Sequence, residues 1–155
     1  MTIADMFLKI QGVTGEASDA DHKGEIQVVS WSWGMQAPTS MGGQATGKAT
    51  LTELKIVKKV DLSSPTLMSY LRNHKAVAQA TLVVRKAGKT PLEYFKIELE
   101  NVRVTALQAQ SDEEELVEHL NLGFTKFRAT YTPQDVTGAR GGGANVFEAD
   151  TQSTQ

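Results

Sequence analysis

The sequence predicts a mainly β protein, an antiparallel barrel or sandwich carrying one short α-helix. Three observations point there: a dominant hydrophobic period of two, a single segment at helical spacing, and no strand–helix–strand alternation. At 155 residues the chain can bury roughly two thirds of its unfolded surface, so one domain with one core is expected.

The elements follow in order. In "ADMFLKI", Ala4, Met6, Leu8 and Ile10 alternate with Asp5, Phe7 and Lys9, which suits a strand with one apolar face. Residues 11–24 contain Gly12, Gly15 and Gly24 among polar residues and read as a loop. In "EIQVVSWSWGMQ" the apolar parity changes: Ile26 and Val28 share one phase, Val29, Trp31, Trp33 and Met35 the other. Either both faces of this strand are covered or a bulge lies near Val28. A loop rich in small residues, 36–48, precedes "ATLTELKIVKKV", where Leu54 and Ile56 alternate with charged neighbours.

"SSPTLMSYLRNH" is the helix: Ser64 as N-cap, Pro65 where a missing N–H costs nothing, and Leu67, Met68 and Leu71 on one face. A hairpin follows, turning at Ala87–Pro91 around Gly88, with Phe95, Ile97 and Leu99 in register on its second strand. After the charged "SDEEE", the stretch "LVEHLNLGFTKFRATYTP" keeps Leu116, Leu120, Leu122 and Phe124 on one parity and is expected to be the last strand, ending at Pro133. Residues 1–133 are thus expected to form the barrel domain, with an extended loop at 36–48. Residues 134–155 are expected to be a Gly-rich, partly flexible tail, on which Val146 and Phe147 are the candidate docking residues.

Composition narrows the function. A net charge of −2 lacks the basic excess that a phosphate backbone demands, which disfavours nucleic acid as a partner. Without cysteine there is neither a disulfide framework nor a thiolate site. "MTIADMFLKI" lacks the basic flank and apolar run of a signal peptide, and the apolar runs fall far short of the roughly 20 residues that span a bilayer, so synthesis in a cytosol and no membrane insertion are expected.

The motifs that could carry chemistry fall short one by one. "SDADHKGE" opens like a calcium loop, with Asp19, Asp21 and Gly24 in place, but the fifth position is Lys23 and the twelfth is Ser30, where a bidentate glutamate is needed. "GGQATGKA" resembles a phosphate loop, yet Ala49 replaces the hydroxyl residue and a strand follows instead of a helix. His22, His74 and His119 are scattered and read as solvated surface residues, and the acids of 112–115 as a solvated loop. No catalytic residue, metal ligand or cofactor site emerges, and no cofactor is expected. Trp31 and Trp33 either form an exposed stacking platform, as in a carbohydrate-binding barrel, or fill the core. The apolar residues sharing their parity favour the core and turn Ser30, Ser32 and Gly34 to the opposite, small and polar face.

Taken together, "ADMFLKI", "HKGEIQVVSWSWGM", "KATLTELKIVKKVDLSSPTLMSYL" and "ATLVVRKAG…PLEYFKIELENV" resemble the Hcp family, the haemolysin-coregulated proteins of the type VI secretion inner tube. The resemblance runs from about Met1 to Pro133. It implies a barrel subunit related to phage tail-tube proteins, assembling into hexameric rings that stack into a tube expelled by sheath contraction. The implied partners are further copies of the chain, effector proteins in the lumen, a spike protein at the tip and sheath proteins outside, with export through the apparatus itself. If the small polar face lines the lumen, Ser30, Ser32 and Gly34 meet cargo. Pro38, Thr39, Ser40, Met41, Gly42, Gly43, Gln44, Ala45 and Thr46 then form an arm that touches a neighbouring ring, its length exceeding what a local hairpin requires. A phage-type tail-tube protein would share this fold and assembly.

Overall fold

The computed structural model describes residues 5–86, 92–111, 113–134 and 141–151. Six strands close an antiparallel barrel. They are β1 (Asp5–Ile10), β2 (Ile26–Ser32), β5 (Leu54–Lys59), β6 (Ala76–Lys86), β7 (Leu92–Ser111) and β8 (Leu116–Gly123). Around the barrel the order is β7-β6-β1-β2-β5-β8, with β8 returning to β7. The short pair β3 (Met35–Gln36) and β4 (Thr50–Leu51) forms a separate ribbon. The strands β9 (Lys126–Tyr131) and β10 (Asn145–Asp150) extend the sheet beyond β7, and the helix α1 (Ser64–Arg72) packs against β7.

The hairpin of β6 and β7 forms with Leu82 opposite Ile97 and Ala80 opposite Leu99; its turn, Ala87–Pro91, lies outside the described residues, as does Ala4. β7 is twenty residues long and changes partners midway. Phe95–Glu100 pair with β9 and Arg103–Ser111 with β8, the switch falling at Asn101, which has φ 53°. The stretch 116–133 is therefore not one strand. Phe124 and Thr125 interrupt it, because its two halves face different neighbours: β8 pairs with β5 and β9 with β10. Nor does strand structure stop at Pro133. Asn145–Asp150 pair along all of β9, and Phe147 meets the Phe127 ring at 6.2 Å, although Val146 and Phe147 keep an exposed side on this edge.

The interior is filled by alternate residues of every barrel strand, among them Leu8, Ile26, Ile56, Leu82, Ile97 and Leu120. Burying each such side chain contributes roughly 1.5–3 kcal/mol, which makes this shared face the main source of stability. The first strand was expected to have one apolar face, but Phe7 on the other phase is buried as well. Loop 11–25 folds over it: Gly15 and Ala17 bond back across the loop to Gly24 and Glu25, the loop's own His22 stacks on Phe7, and Val83 and Arg85 are buried beside them. Gly15 has no substitute there, since a Cβ would sit 2.5 Å from the Glu25 carbonyl oxygen.

In α1 the N-cap position is Ser63, one residue earlier than expected, and its side chain caps no helix amide; the Ser64 hydroxyl is inside the helix and bonds Glu118. The buried stripe also differs. Leu67 is enclosed and Tyr70 and Leu71 are partly buried, while Met68 faces outward.

Candidate functional surface

The parity change in the second strand is a bulge. Val28 pairs with Lys58 and Ser30 with Val57, leaving Val29 unpaired and largely exposed. The apolar phase therefore passes from Ile26 and Val28 directly to Trp31 and Trp33. Val29 and Met35 do not extend the tryptophan stripe as their parity suggested; each is 46% exposed. The two indoles are half-buried, packed on the rim of the core. Trp31 stacks on Phe95 with ring centroids 5.7 Å apart, and Trp33 on Phe127 at 4.1 Å.

On the outer face, register aligns polar residues across four strands. One row runs Ser30, Val57, His119, Gln108; the next runs Ser32, Lys55, Asn121, Ala106. Ser30, Ser32, Lys55, His119, Gln108 and Ala106 are exposed, and Val57, Asn121 and Gly34 half-buried. The result is a low, mostly polar surface that carries one charged residue, Lys55, in these two rows. Sequence reasoning reached Ser30 and Ser32 but missed their neighbours, because facing strands are set by register and not by local pattern.

At one end of this sheet, residues 35–51 form an arm. Met35 pairs with Leu51 and Gln36 with Thr50, and farther out Thr39 bridges Ala45. Ser40 and Gly43 close the tip through a turn with Gly43 at φ 86°, a conformation that favours glycine. Pro38 to Thr46 are all exposed. The phosphate-loop-like "GGQATGKA" lies within this ribbon and leads into a strand, not a helix.

Two polar clusters escaped sequence reasoning. Inside the barrel Lys58 and Glu118 are both fully buried, with Nζ 2.5 Å from Oε1. Ser64 Oγ donates to the same Glu118 oxygen at 2.7 Å, and Lys58 also donates to Asp61 at 3.1 Å and to the Lys59 carbonyl at 3.0 Å. The signal was present: Lys58 shares the phase of Leu54 and Ile56, and Glu118 that of Leu120 and Leu122.

The second cluster lies under loop 11–25 and corrects the reading of His22 as a solvated residue. His22 is buried, stacked on Phe7 at 4.4 Å, and bonded through Nδ1 to Glu25 (3.0 Å) and Nε2 to Glu93 (2.7 Å). Arg85 grips both carboxylate oxygens of Asp19, at 2.6 and 2.9 Å, and reaches Asp5 at 3.2 Å. That bidentate bond holds the Asp19 pKa down to about 2 and raises that of Arg85. Asp19, a calcium-ligand position in the sequence motif, thus serves a loop clamp. His74 and His119 are exposed, as are Glu113 to Glu115; Asp112 lies outside the described residues. Among the described residues, no group of three or more His, Cys, Asp or Glu is placed to hold a metal ion. No helix among them is long and apolar enough to cross a membrane.

Fold and surface together define a class: a mainly β antiparallel barrel with one short helix, a flat polar face and a projecting arm. A family model described as "Type VI secretion system effector, Hcp" matches residues 7–131. Protein hcp1 of Pseudomonas aeruginosa is 39% identical over 145 residues, covering 90% of each chain. Hcp1 from Salmonella typhimurium superposes with a TM-score of 0.79 at 31% identity, over 98% of this chain and 96% of the other. A type VI secretion system effector from Yersinia pestis gives 0.77 at 31% identity, over 94% and 99%. The chain belongs to the Hcp family of the type VI secretion system.

Proposed function

We propose that this protein is a structural subunit of the type VI inner tube. Six copies close a ring, rings stack, and sheath contraction drives the tube out of the cell with effector proteins in its lumen. The observation that carries this reading is the pair of aligned rows on the outer face of β2, β5, β8 and β7. Mostly polar residues in register make a continuous wall, which suits a passage more than a recognition pocket. Ser30, Ser32 and Gly34 then belong to the lumen, and symmetry repeats each hydroxyl around the channel, so several weak contacts act together on an enclosed protein. The arm supplies the contact between rings, spike protein meets the tube at its tip, and sheath proteins surround it. Export proceeds through the apparatus.

Electron microscopy of the purified protein tests this reading. Six-fold rings with an open centre are the expected result, and a compact monomer at all concentrations overturns it.

A further inference from the structure

The face of β7, β9 and β10 turned away from the core carries a ladder of alternating charge. In one row Glu98 on β7 lies opposite Arg128 on β9, and Arg128 opposite Glu148 on β10. In the next row Glu100 lies opposite Lys126, and Lys126 opposite Asp150. Two acidic columns therefore flank one basic column, and each row holds two carboxylates for one cation. A groove of about 350 Å³ opens along these rows.

Among the described residues β10 is the last strand of its sheet, so the second acidic column is also the margin of the sheet. The opposite phase of β10 is Asn145, Phe147 and Ala149, with Phe147 42% exposed. The strand is firmly held. All six of its residues pair with β9, and just beyond it the Thr151 amide and hydroxyl both donate to the Thr125 carbonyl, at 2.7 and 3.1 Å. An edge fixed in this way turns a row of backbone groups outward in a set geometry, a template for one more strand.

The columns define what that strand must carry. On its inner side β10 meets Lys126, Phe127 and Arg128 of β9: the bases lie opposite Asp150 and Glu148, and the ring between them lies opposite Ala149 and meets Phe147. A second β10 on the outer side would set acids beside acids, which is unfavourable across strands. A strand repeating the β9 pattern instead continues the acid–base–acid order with another basic column.

We propose that the outer edge of β10 takes up, by strand addition, an extended segment of a partner protein in which Lys or Arg alternates with an apolar residue. Main-chain bonds supply the affinity, Glu148 and Asp150 select the bases, and Phe147 and Ala149 accept the apolar residue between them. This site does not depend on the tube reading.

The probe is a fluorescein-labelled peptide, Lys-Phe-Arg-Ala-Thr-Tyr, with the sequence of residues 126–131, titrated with the full-length protein and followed by anisotropy. Saturable binding that weakens with salt is expected. It should fall roughly tenfold or more for Glu148→Lys/Asp150→Lys, which should instead take up the peptide carrying Glu in place of both bases. Two further peptides separate strand addition from charge attraction alone. Methylating the amides of alternate residues should abolish binding in one phase and spare it in the other, because successive N–H groups of a strand point to opposite edges. Moving the two bases to adjacent positions should weaken binding. No saturable binding by the parent, equal binding in both methylated phases, equal binding by the adjacent-base peptide, or undiminished binding by the double variant overturns the proposal. Light scattering on the same samples reports ring formation separately, so rings that bind no peptide leave the tube reading intact.

Discussion

Lys58 and Glu118 meet inside the barrel, Nζ to Oε1 at 2.5 Å, with neither side chain reaching solvent. They lie on β5 and β8, which pair directly, and Ser64 at the start of α1 bonds to both. One buried ion pair therefore ties two strands of the polar-faced sheet to the helix.

Breaking that pair on one side strands a charge in the interior. Glu118→Leu or Lys58→Met alone is expected to cost about 3–5 kcal/mol, whereas the double substitution recovers much of the loss, because apolar replacements of similar volume suit a buried position. Urea unfolding of the three variants measures this. Single losses that simply add in the double variant would show that the two residues act separately.

Trp33→Ala removes a ring stacked on Phe127 that is only partly buried. The expected cost is about 2–3 kcal/mol, below the roughly 3–5 kcal/mol of a fully enclosed aromatic ring. In the protomer both indoles should show intermediate quenching by acrylamide; fluorescence fully shielded from the quencher contradicts the packing described.

Asp19 supplies a pH dependence with a definite sign. Its pKa falls from 3.8 to about 2 through the Arg85 bond, so its contribution to stability is complete above pH 3.8 and is lost as pH falls toward about 2. Asp19→Asn should therefore be less stable than the parent at neutral pH, with the gap narrowing across that acid window. Thermal melts of both proteins from neutral to acid pH check it, and a gap that stays constant refutes the linkage.

Deleting Pro38–Thr46 should leave the barrel's melting temperature close to the parent's, since these residues are exposed and pair only within the arm. Tube formation should be lost. Size-exclusion with light scattering and microscopy separate the two effects, and deleted protein that stacks as well as the parent removes the arm from the axial contact.

Ser32→Glu should leave rings intact and reduce effector retention, because an exposed change costs the fold little while symmetry repeats it around the ring. Ring formation and effector co-purification are read from one preparation. Undiminished retention tells against a lumenal Ser32; failed ring closure moves it to a subunit contact.

Much of the fold was legible wherever one face of a strand is buried, because alternation then records burial directly: Leu8 and Ile10, Leu54 and Ile56, Leu120 and Leu122 all read correctly. Legibility ended where a residue's surroundings come from distant chain. Phe7 depends on a loop folding over it, His22 in that loop on Phe7 and Glu93, and Lys58 is buried because Glu118, sixty residues on, neutralises it. The bulge at Val29 was visible as a phase change, yet its consequence was not. Counting parity through it assigned Val29 to the tryptophan face, while pairing turns it to solvent. The same limit governs the polar face, for Ser30 and Ser32 can be read from one strand but His119 and Asn121 become their row-mates only through register.

β7 also has a mechanical meaning. Its twenty residues, a contour of about 65 Å at the usual strand rise, belong first to the sheet of β9 and β10 and then to the barrel wall of β8. A thrust entering either part passes to the other along covalent backbone, with no interface between them to slip. Sliding β7 past its neighbours would load whole rows of ladder bonds together instead of peeling them one at a time. The protomer thus contains a stiffening spar, which suits the expelled tube proposed above.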